Sequence, residues 1–305
     1  MMTSSSSGSE GVDTSSLCIM VNGMPGPMAT AAAEACLRKG LILAPVAMTG
    51  PGIEPCTVTV SDAVSGASAD VRLIPATDEG RTEIAASIAG LRAAVGRENL
   101  LAIDYTHPSA VNDNAVFYAE NGLPFVMGTT GGDRERLVED VSSRGAFAVI
   151  APNMGKQIVA MQAGLEDLAS RFPSAFAGYR LEVTESHQSG KADTSGTAKA
   201  VISSLLRLSD GDFDVERDIR MLRDDESSLA FGVSEGALGG HAFHTYTLTS
   251  PDGSVQFVLK HNVEGRTVYA EGTANAVKFL ATKVATGMEG RVFLMIDVLQ
   301  AGALE

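Results

Sequence analysis

Short, continuously apolar runs that alternate with helix-period segments set the strongest limit on what this chain can fold into. The runs are LCIMVNG from Leu17, LILAPVAM from Leu41, LLAIDYT from Leu100, PFVMGTT from Pro124 and FAVIAPN from Phe147. Between them lie helical patterns over 28–39, 81–95 (apolar at Ile84, Ile88, Leu91 and Val95), 109–120 and 133–143. A strand without polar alternation needs cover on both faces, and strand–helix alternation makes the sheet parallel. The first half therefore reads as α/β, a Rossmann-like doubly wound parallel sheet. TVTV (57–60) and DVRLI (70–74) add shorter strands.

After Asn153 the texture changes. A helix over 156–171 and the alternating strand YRLEVTESH come first, then a second helix over 197–208. VERDIRML, HAFHTYTLTS and SVQFVLKHN follow, the last two joined across Pro251-Asp252-Gly253, and read as antiparallel strands with one open face. Two helical patterns, 272–286 and 292–299, close the chain. The expected organisation is a disordered Ser-rich tail over 1–16 and a dinucleotide-binding domain over 17–153 and 273–305. Inserted between the two parts is an α+β substrate and oligomerisation domain over 154–272, with an open mixed sheet. The tail has neither the apolar core of a secretory signal nor the arginines of a transit peptide. It reads as a disordered tail, an artificial extension or the stump of a removed targeting segment.

The formal charge of −14 repels phosphate backbones and argues against a nucleic-acid partner. No apolar stretch reaches the ~18–20 residues of a membrane span. Cys18, Cys36 and Cys56 form neither a disulfide framework nor a metal knuckle, and no Asn-x-Ser/Thr sequon occurs. A soluble protein of a reducing compartment is expected, with no metal.

Three segments could carry chemistry. Gly23-Met24-Pro25-Gly26-Pro27-Met28 follows a buried strand and opens a helix. Glycines there let backbone approach a pyrophosphate, and the helix N-terminus supplies N–H groups and positive dipole; a plain tight turn is the competing reading. The second strand ends at Thr49-Gly50 with no carboxylate before Glu54, so a ribose 2′-phosphate would not be repelled and NADPH is acceptable. Thr49 is the one side chain there able to meet the ribose. The loops 104–108, with Tyr105 and Thr106, and 128–132, with Gly128, Thr129 and Thr130, fall at strand ends where a flat ring could lie against backbone. His107 is expected to fix its own turn.

The densest segment is Glu185-Ser186-His187-Gln188-Ser189-Gly190-Lys191-Ala192-Asp193-Thr194-Ser195-Gly196-Thr197. His187 is a proton donor near neutral pH, Lys191 a point charge for an anion, and Ser195-Gly196-Thr197 a helix start suited to a carboxylate. The competing reading is an exposed Lys191–Asp193 ion pair with Thr194 or Ser195 as a cap. His241, His244 and His261 are expected to be ordinary sheet residues.

VNGMPGPM, IDYTHPSAVNDNA, PFVMGTTGGDR, APNMGKQIVAM, ESHQSGKADTSGTAKAVI and GHAFHTYTLTSPDG together resemble the dihydrodipicolinate (4-hydroxy-tetrahydrodipicolinate) reductases of plants and algae. The resemblance spans about 17–299. It implies NAD(P)H-dependent reduction of a cyclic unsaturated imine dicarboxylate in lysine biosynthesis by the diaminopimelate route, with NADPH and also NADH as cofactor. It implies His187 as general acid and Lys191 as its partner, with Gln188, Lys191, Ser195, Gly196 and Thr197 on the substrate. Gly128, Thr129, Thr130 and Pro152, Asn153, Met154 and Gly155 are implied on the nicotinamide side. It further implies a homo-oligomer, dimer or tetramer, joined through the substrate domain, and the plastid stroma, with the cytoplasm as alternative. Gln188 stands where bacterial members carry a second histidine, and the loop is one residue shorter before Ser195. Pro27 replaces a frequent basic residue and Ala29 the third glycine. An amino-acid dehydrogenase of the aspartate dehydrogenase type, or a non-catalytic NADPH-sensing protein, are the other readings.

Overall fold

A computed structural model describes residues 14–286 and 290–302, and the chain divides into two compact units. One comprises Met1–Met154 with Ala270–Glu305, the other Gly155–Tyr269. Most of the Ser-rich tail lies outside the described residues. Thr14–Ser16, expected to be disordered, instead forms a turn of 3-10 helix.

The first unit runs β1 (Cys18–Asn22), α1 (Pro27–Arg38), β2 (Ile42–Leu43), β3 (Val46–Thr49), β4 (Cys56–Ser61) and β5 (Ser68–Pro75). It continues through α2 (Asp78–Val95), β6 (Leu100–Asp104), α3 (Val111–Glu120), β7 (Phe125–Met127), α4 (Arg134–Ser143) and β8 (Ala148–Ile150). The helices begin where local chemistry permits. Thr77 accepts from Gly80 N–H ahead of α2 and Asp133 from Arg136 N–H ahead of α4, while Pro27 occupies the first position of α1. Ile84 and Ile88 of α2, and Leu137 and Val141 of α4, are i,i+4 pairs that bury one stripe of each helix.

With β13 (Val292–Phe293) from the end of the chain, the main sheet has the order β13-β8-β7-β6-β1-β2, with every pairing parallel; β1 and β6 are buried along their whole length. Two expectations need correcting here. LILAPVAM is not one strand, because Pro45 brings no N–H and splits the run. Its first half pairs with β1, and its second half pairs with β5 in a separate sheet of order β3-β5-β4. The pattern over 292–299 is not all helix. Val292–Phe293 forms β13 at the sheet edge, and only α9 (Met295–Gln300) is helical.

The second unit runs α5 (Lys156–Arg171), β9 (Arg180–His187), α6 (Gly196–Ser209), β10 (Ile219–Leu222), α7 (Asp225–Phe231), β11 (His241–Thr249) and β12 (Gln256–Glu264). Its sheet has the order β10-β9-β11-β12. β11 is antiparallel to both neighbours, but β10 runs parallel to β9, not antiparallel as its position in sequence suggests. Leu181 and Val183 of β9 meet Leu248 and Tyr246 of β11 on the face covered by Val201, Ile202 and Leu205 of α6. α8 (Thr267–Ala285) then leads back into the first unit, where Ala274, Val277 and Leu280 are buried. No helix among the described residues is long and apolar enough to cross a membrane.

Candidate active site

Two groups of residues, one in each unit, carry the candidate chemistry. In the first unit the glycine loop leaves β1 at Asn22. Gly23 sits at φ +104°, and a Cβ on it would lie 2.2 Å from the Tyr105 carbonyl oxygen, so only glycine fits. Gly26 N–H donates to Gly23 O at 2.9 Å and Gly26 caps α1, whose first turn holds no acidic residue. The Met24–Pro25 bond is cis. A backbone turn that opens N–H groups at a helix start, without carboxylates, suits a dinucleotide pyrophosphate.

The neighbouring side chains are mostly spent on holding that turn. Thr49 is 1% exposed and its hydroxyl donates to Met24 O at 2.6 Å. It braces the glycine loop and does not present a donor to a ribose, contrary to expectation. Asp104, fully buried, accepts from Thr106 Oγ1 (2.8 Å), Thr129 Oγ1 (2.8 Å), Asn114 Nδ2 (3.0 Å) and Tyr118 OH (2.7 Å). Thr106 and Thr129 are thus ligands of a buried carboxylate, so their loops can offer a cofactor backbone more than hydroxyls. Tyr105 bonds Thr273 at 2.6 Å, and its ring packs so closely on Gly128 that a Cβ there would lie 2.3 Å from it. Thr130 is exposed, and Pro152, Asn153, Met154 and Gly155 form the loop after β8, with only Met154 and Gly155 buried. His107 Nδ1 accepts from Ser109 N–H at 3.2 Å, fixing its own turn.

In the second unit the decisive feature is strand register. The apolar face of β9 continues through Glu185 and His187, which are 0% and 6% exposed. Glu185 pairs directly with His244 of β11, and His244 with His261 of β12. A buried carboxylate is costly unless compensated. Glu185 receives the Arg223 guanidinium on one oxygen and the Ser195 N–H (3.3 Å) on the other, with His244 Nε2 at 3.6 Å. Burial alone would raise its pKa, but the close approach of His244 and the bond from Arg223 outweigh burial and hold it well below the usual range. His187 Nδ1 lies 3.1 Å from the His241 carbonyl oxygen and its Nε2 lies 3.2 Å from His244 Nε2. Burial, then positive charge on His244, lowers the His187 pKa. Glu185 and His187, neighbours on one face of β9, converge with His244, which lies 57 residues beyond His187 in sequence. Because Arg223 and Ser195 already engage the carboxylate, the set is a hydrogen-bonded acid cluster.

Lys191 lies in the turn closed by its own N–H to Gln188 O (3.0 Å), and its Nζ meets Asp193 at 2.8 Å. The Asp193 side chain is 83% exposed. Such an ion pair contributes about 1 kcal/mol or less, so the ammonium can exchange Asp193 for a ligand carboxylate at little cost. Ser195 is the N-cap of α6 by backbone geometry, with no side-chain cap bond. Gly196 and Thr197 form the first turn, and Gln188 is half-buried at the loop start.

The family description "Dihydrodipicolinate reductase, N-terminus" matches residues 17–154, and "Dihydrodipicolinate reductase, C-terminus" matches 158–299. The 4-hydroxy-tetrahydrodipicolinate reductase 1, chloroplastic, of Arabidopsis thaliana is 43% identical over 292 residues, 94% of this chain and 78% of that protein. The probable 4-hydroxy-tetrahydrodipicolinate reductase 2, chloroplastic, of Oryza sativa subsp. japonica is 44% identical over 287 residues, covering 94% and 84%. The chain belongs to the dihydrodipicolinate reductase family. A solved dipicolinate-bound dihydrodipicolinate reductase from Paenisporosarcina sp. TG-14 shares the fold, with a TM-score of 0.58 at 17% identity over 91% of this chain and 97% of that one.

As a member of this family the chain is an oxidoreductase that draws on a pyridine nucleotide and acts on a small molecule. The structure adds Glu185, Arg223 and His244 to the residues the sequence singled out for a role. His241 keeps the ordinary reading: its ring lies on the other face of β11, with Nε2 2.8 Å from Ser186 Oγ and Nδ1 3.1 Å from Ala237 O. His244 does not, since it touches His187. The one available signal was period-two alternation, which puts Glu185 and His187, and His244 and Tyr246, on single strand faces.

Proposed function

We propose that the chain reduces 4-hydroxy-tetrahydrodipicolinate to tetrahydrodipicolinate with NAD(P)H, the step that serves lysine synthesis through diaminopimelate. The observation that carries this reading is His187, a buried imidazole held by a backbone carbonyl, followed four residues later by an ammonium with only an exposed partner. A bound nicotinamide supplies the hydride. His187 supplies the proton to the ring carbon beside the one reduced, and Lys191 leaves Asp193 to hold a ring carboxylate and the charge that develops next to it. The N–H groups of Gly196 and Thr197, with the hydroxyls of Ser195 and Thr197 and the Gln188 amide, receive the carboxylates at the positive end of α6. The glycine loop and the backbone of residues 128–130 and 152–155 hold the cofactor.

NADPH is expected to serve at least as well as NADH, because β3 ends at Thr49-Gly50 without a carboxylate to repel a 2′-phosphate. A homo-oligomer, dimer or tetramer, through the second unit is supported by β12, an edge strand that exposes Phe257 and Val258. The chloroplastic relatives support a plastid stroma location.

The test is NADPH oxidation at 340 nm, with substrate made in situ from pyruvate and aspartate semialdehyde by the upstream synthase. Oxidation that needs both precursors and the synthase is the expected result. Oxidation with oxaloacetate and ammonia instead would mean an amino-acid dehydrogenase, and NADPH binding without turnover a sensor.

A further inference from the structure

We infer that His244 is a positioning residue for His187: the two imidazoles carry one positive charge between them, exchanged by a single proton across their Nε2 atoms. The inference rests on the reading of His187 as the acid.

The hydrogen-bond inventory leaves few arrangements. The His241 carbonyl can only accept, so His187 Nδ1 carries a hydrogen. In neutral His187 the Nε2 atom therefore presents a lone pair. It faces His244 Nε2 at 3.2 Å, inside a site where the two residues are 6% and 1% exposed. His244 must then hold its hydrogen on Nε2, where Glu185 Oε2, 3.6 Å away, favours it. His244 Nδ1 is buried and has no hydrogen-bond partner. Nε2 is thus the end by which His244 is tied to its neighbours His187 and Glu185.

When one proton enters the pair, it takes the open Nδ1 of His244. Transfer of the central proton from His244 Nε2 to His187 Nε2 then makes His187 the imidazolium and leaves His244 neutral. His187 then turns that N–H away from His244 toward the substrate carbon, gives up the proton and returns to its neutral form. One proton from solvent recharges His244 at Nε2, so the balance closes at one proton per turnover. His261, stacked on His244 with ring centroids 4.6 Å apart, also lines a cavity of about 530 Å³.

The surrounding charges keep the pair at one proton. Glu185 on β9 is the anion in contact, and its charge is offset by Arg223 after β10. Lys191 in the loop after β9, and Arg223, oppose a second proton on His187, while His261 on β12, kept neutral by burial, and Tyr246 on β11, 6.2 Å from His244, add uncharged rings. Burial of His187 opposes it further.

The test is a titration of the histidine ring nitrogens in the 15N-labelled full chain, from pH 9 to pH 4, beside kcat measured over the same range. His244→Phe keeps a flat ring on His261 but no polar atom, and His244→Gln keeps a donor for His187 but cannot be charged. In the wild type the His187 nitrogens should titrate in two steps, the first shared with His244. In both variants they should titrate in one step, with kcat down roughly tenfold to a hundredfold and the NADPH KM within about twofold. A His187 titration identical in all three proteins, or wild-type kcat in His244→Gln, overturns the inference. A wild type that does not turn over the cyclic imine removes the proposed reaction, and the nitrogen titration still decides whether the proton is shared.

Discussion

The Nε of Arg223 donates to the carbonyl of Lys191 across 2.7 Å, tying the chain just beyond β10 to the loop that follows β9. The same guanidinium engages Glu185 and reaches Asp193 O at 3.4 Å. One planar fork thus neutralises the buried carboxylate and fixes the loop that presents the Lys191 ammonium. Parallel pairing makes this possible, because Leu222 opposite Ser186 places Arg223 beside the end of β9.

Arg223→Gln should therefore leave Glu185 buried and unpaired, at a cost of about 2–4 kcal/mol in stability, and lower turnover through a loosened Lys191 loop. Adding Glu185→Gln should return most of the stability but not the turnover. Urea unfolding and kcat for Arg223→Gln, Glu185→Gln and the double variant decide this, and an additive pair of losses would show that the two side chains do not interact.

His187→Gln should lower kcat by roughly 10²–10⁴ while NADPH binding stays near wild type. Fluorescence titration of NADPH and steady-state rates measure the two effects separately. Turnover within a few-fold of wild type would remove His187 from the proton transfer.

Cofactor choice should respond to Gly50. A Cβ there meets only Ile53 at 3.8 Å, so Gly50→Asp fits sterically and sets a carboxylate at the end of β3. The expected result is a shift of the kcat/KM ratio toward NADH by about tenfold, the scale of one repulsive contact with a 2′-phosphate. Thr49→Asp is the poorer probe, since it would bury a charge and break the bond to Met24 O. An unchanged ratio in Gly50→Asp would place ribose recognition elsewhere.

Acidification should weaken the second unit before it touches any carboxylate. Burial, then charge on His244, depresses His261 to about 4, and His187 shifts the same way. The unfolded chain protonates His261 near pH 6.5 and the folded chain only near 4, so its contribution to stability is complete above about 6.5 and is lost as the pH falls toward about 4. Urea midpoints at pH 7.5, 6 and 5 should fall in the wild type and fall less in His261→Phe. Parallel curves would show that His261 is protonated equally in both states.

What the sequence made legible follows from how local each feature is. The strands of the main sheet were readable because each is a continuous apolar run, and Pro27 and the capping residues marked helix starts. β13 was not readable, since Val292 and Phe293 form a strand only because β8 offers them an edge. His187 and Lys191 stood out as neighbours in one loop. Arg223 lies 38 residues from Glu185, and His244 lies 57 from His187, and only strand register joins them. Thr49 misled for a related reason: its hydroxyl is committed to the loop across a turn of backbone that spacing does not reveal.

The nested order of the chain also sets the order in which its parts can be completed during synthesis. Every strand of the second unit has emerged by Glu264, whereas the outer edge of the first unit's main sheet waits for Val292 and Phe293. The unit begun first is finished last, and the middle of the chain can reach its final hydrogen bonding while β8 still lacks its outer neighbour. A chain arrested at residue 269 should resist brief proteolysis between 155 and 269 and be cut before 154.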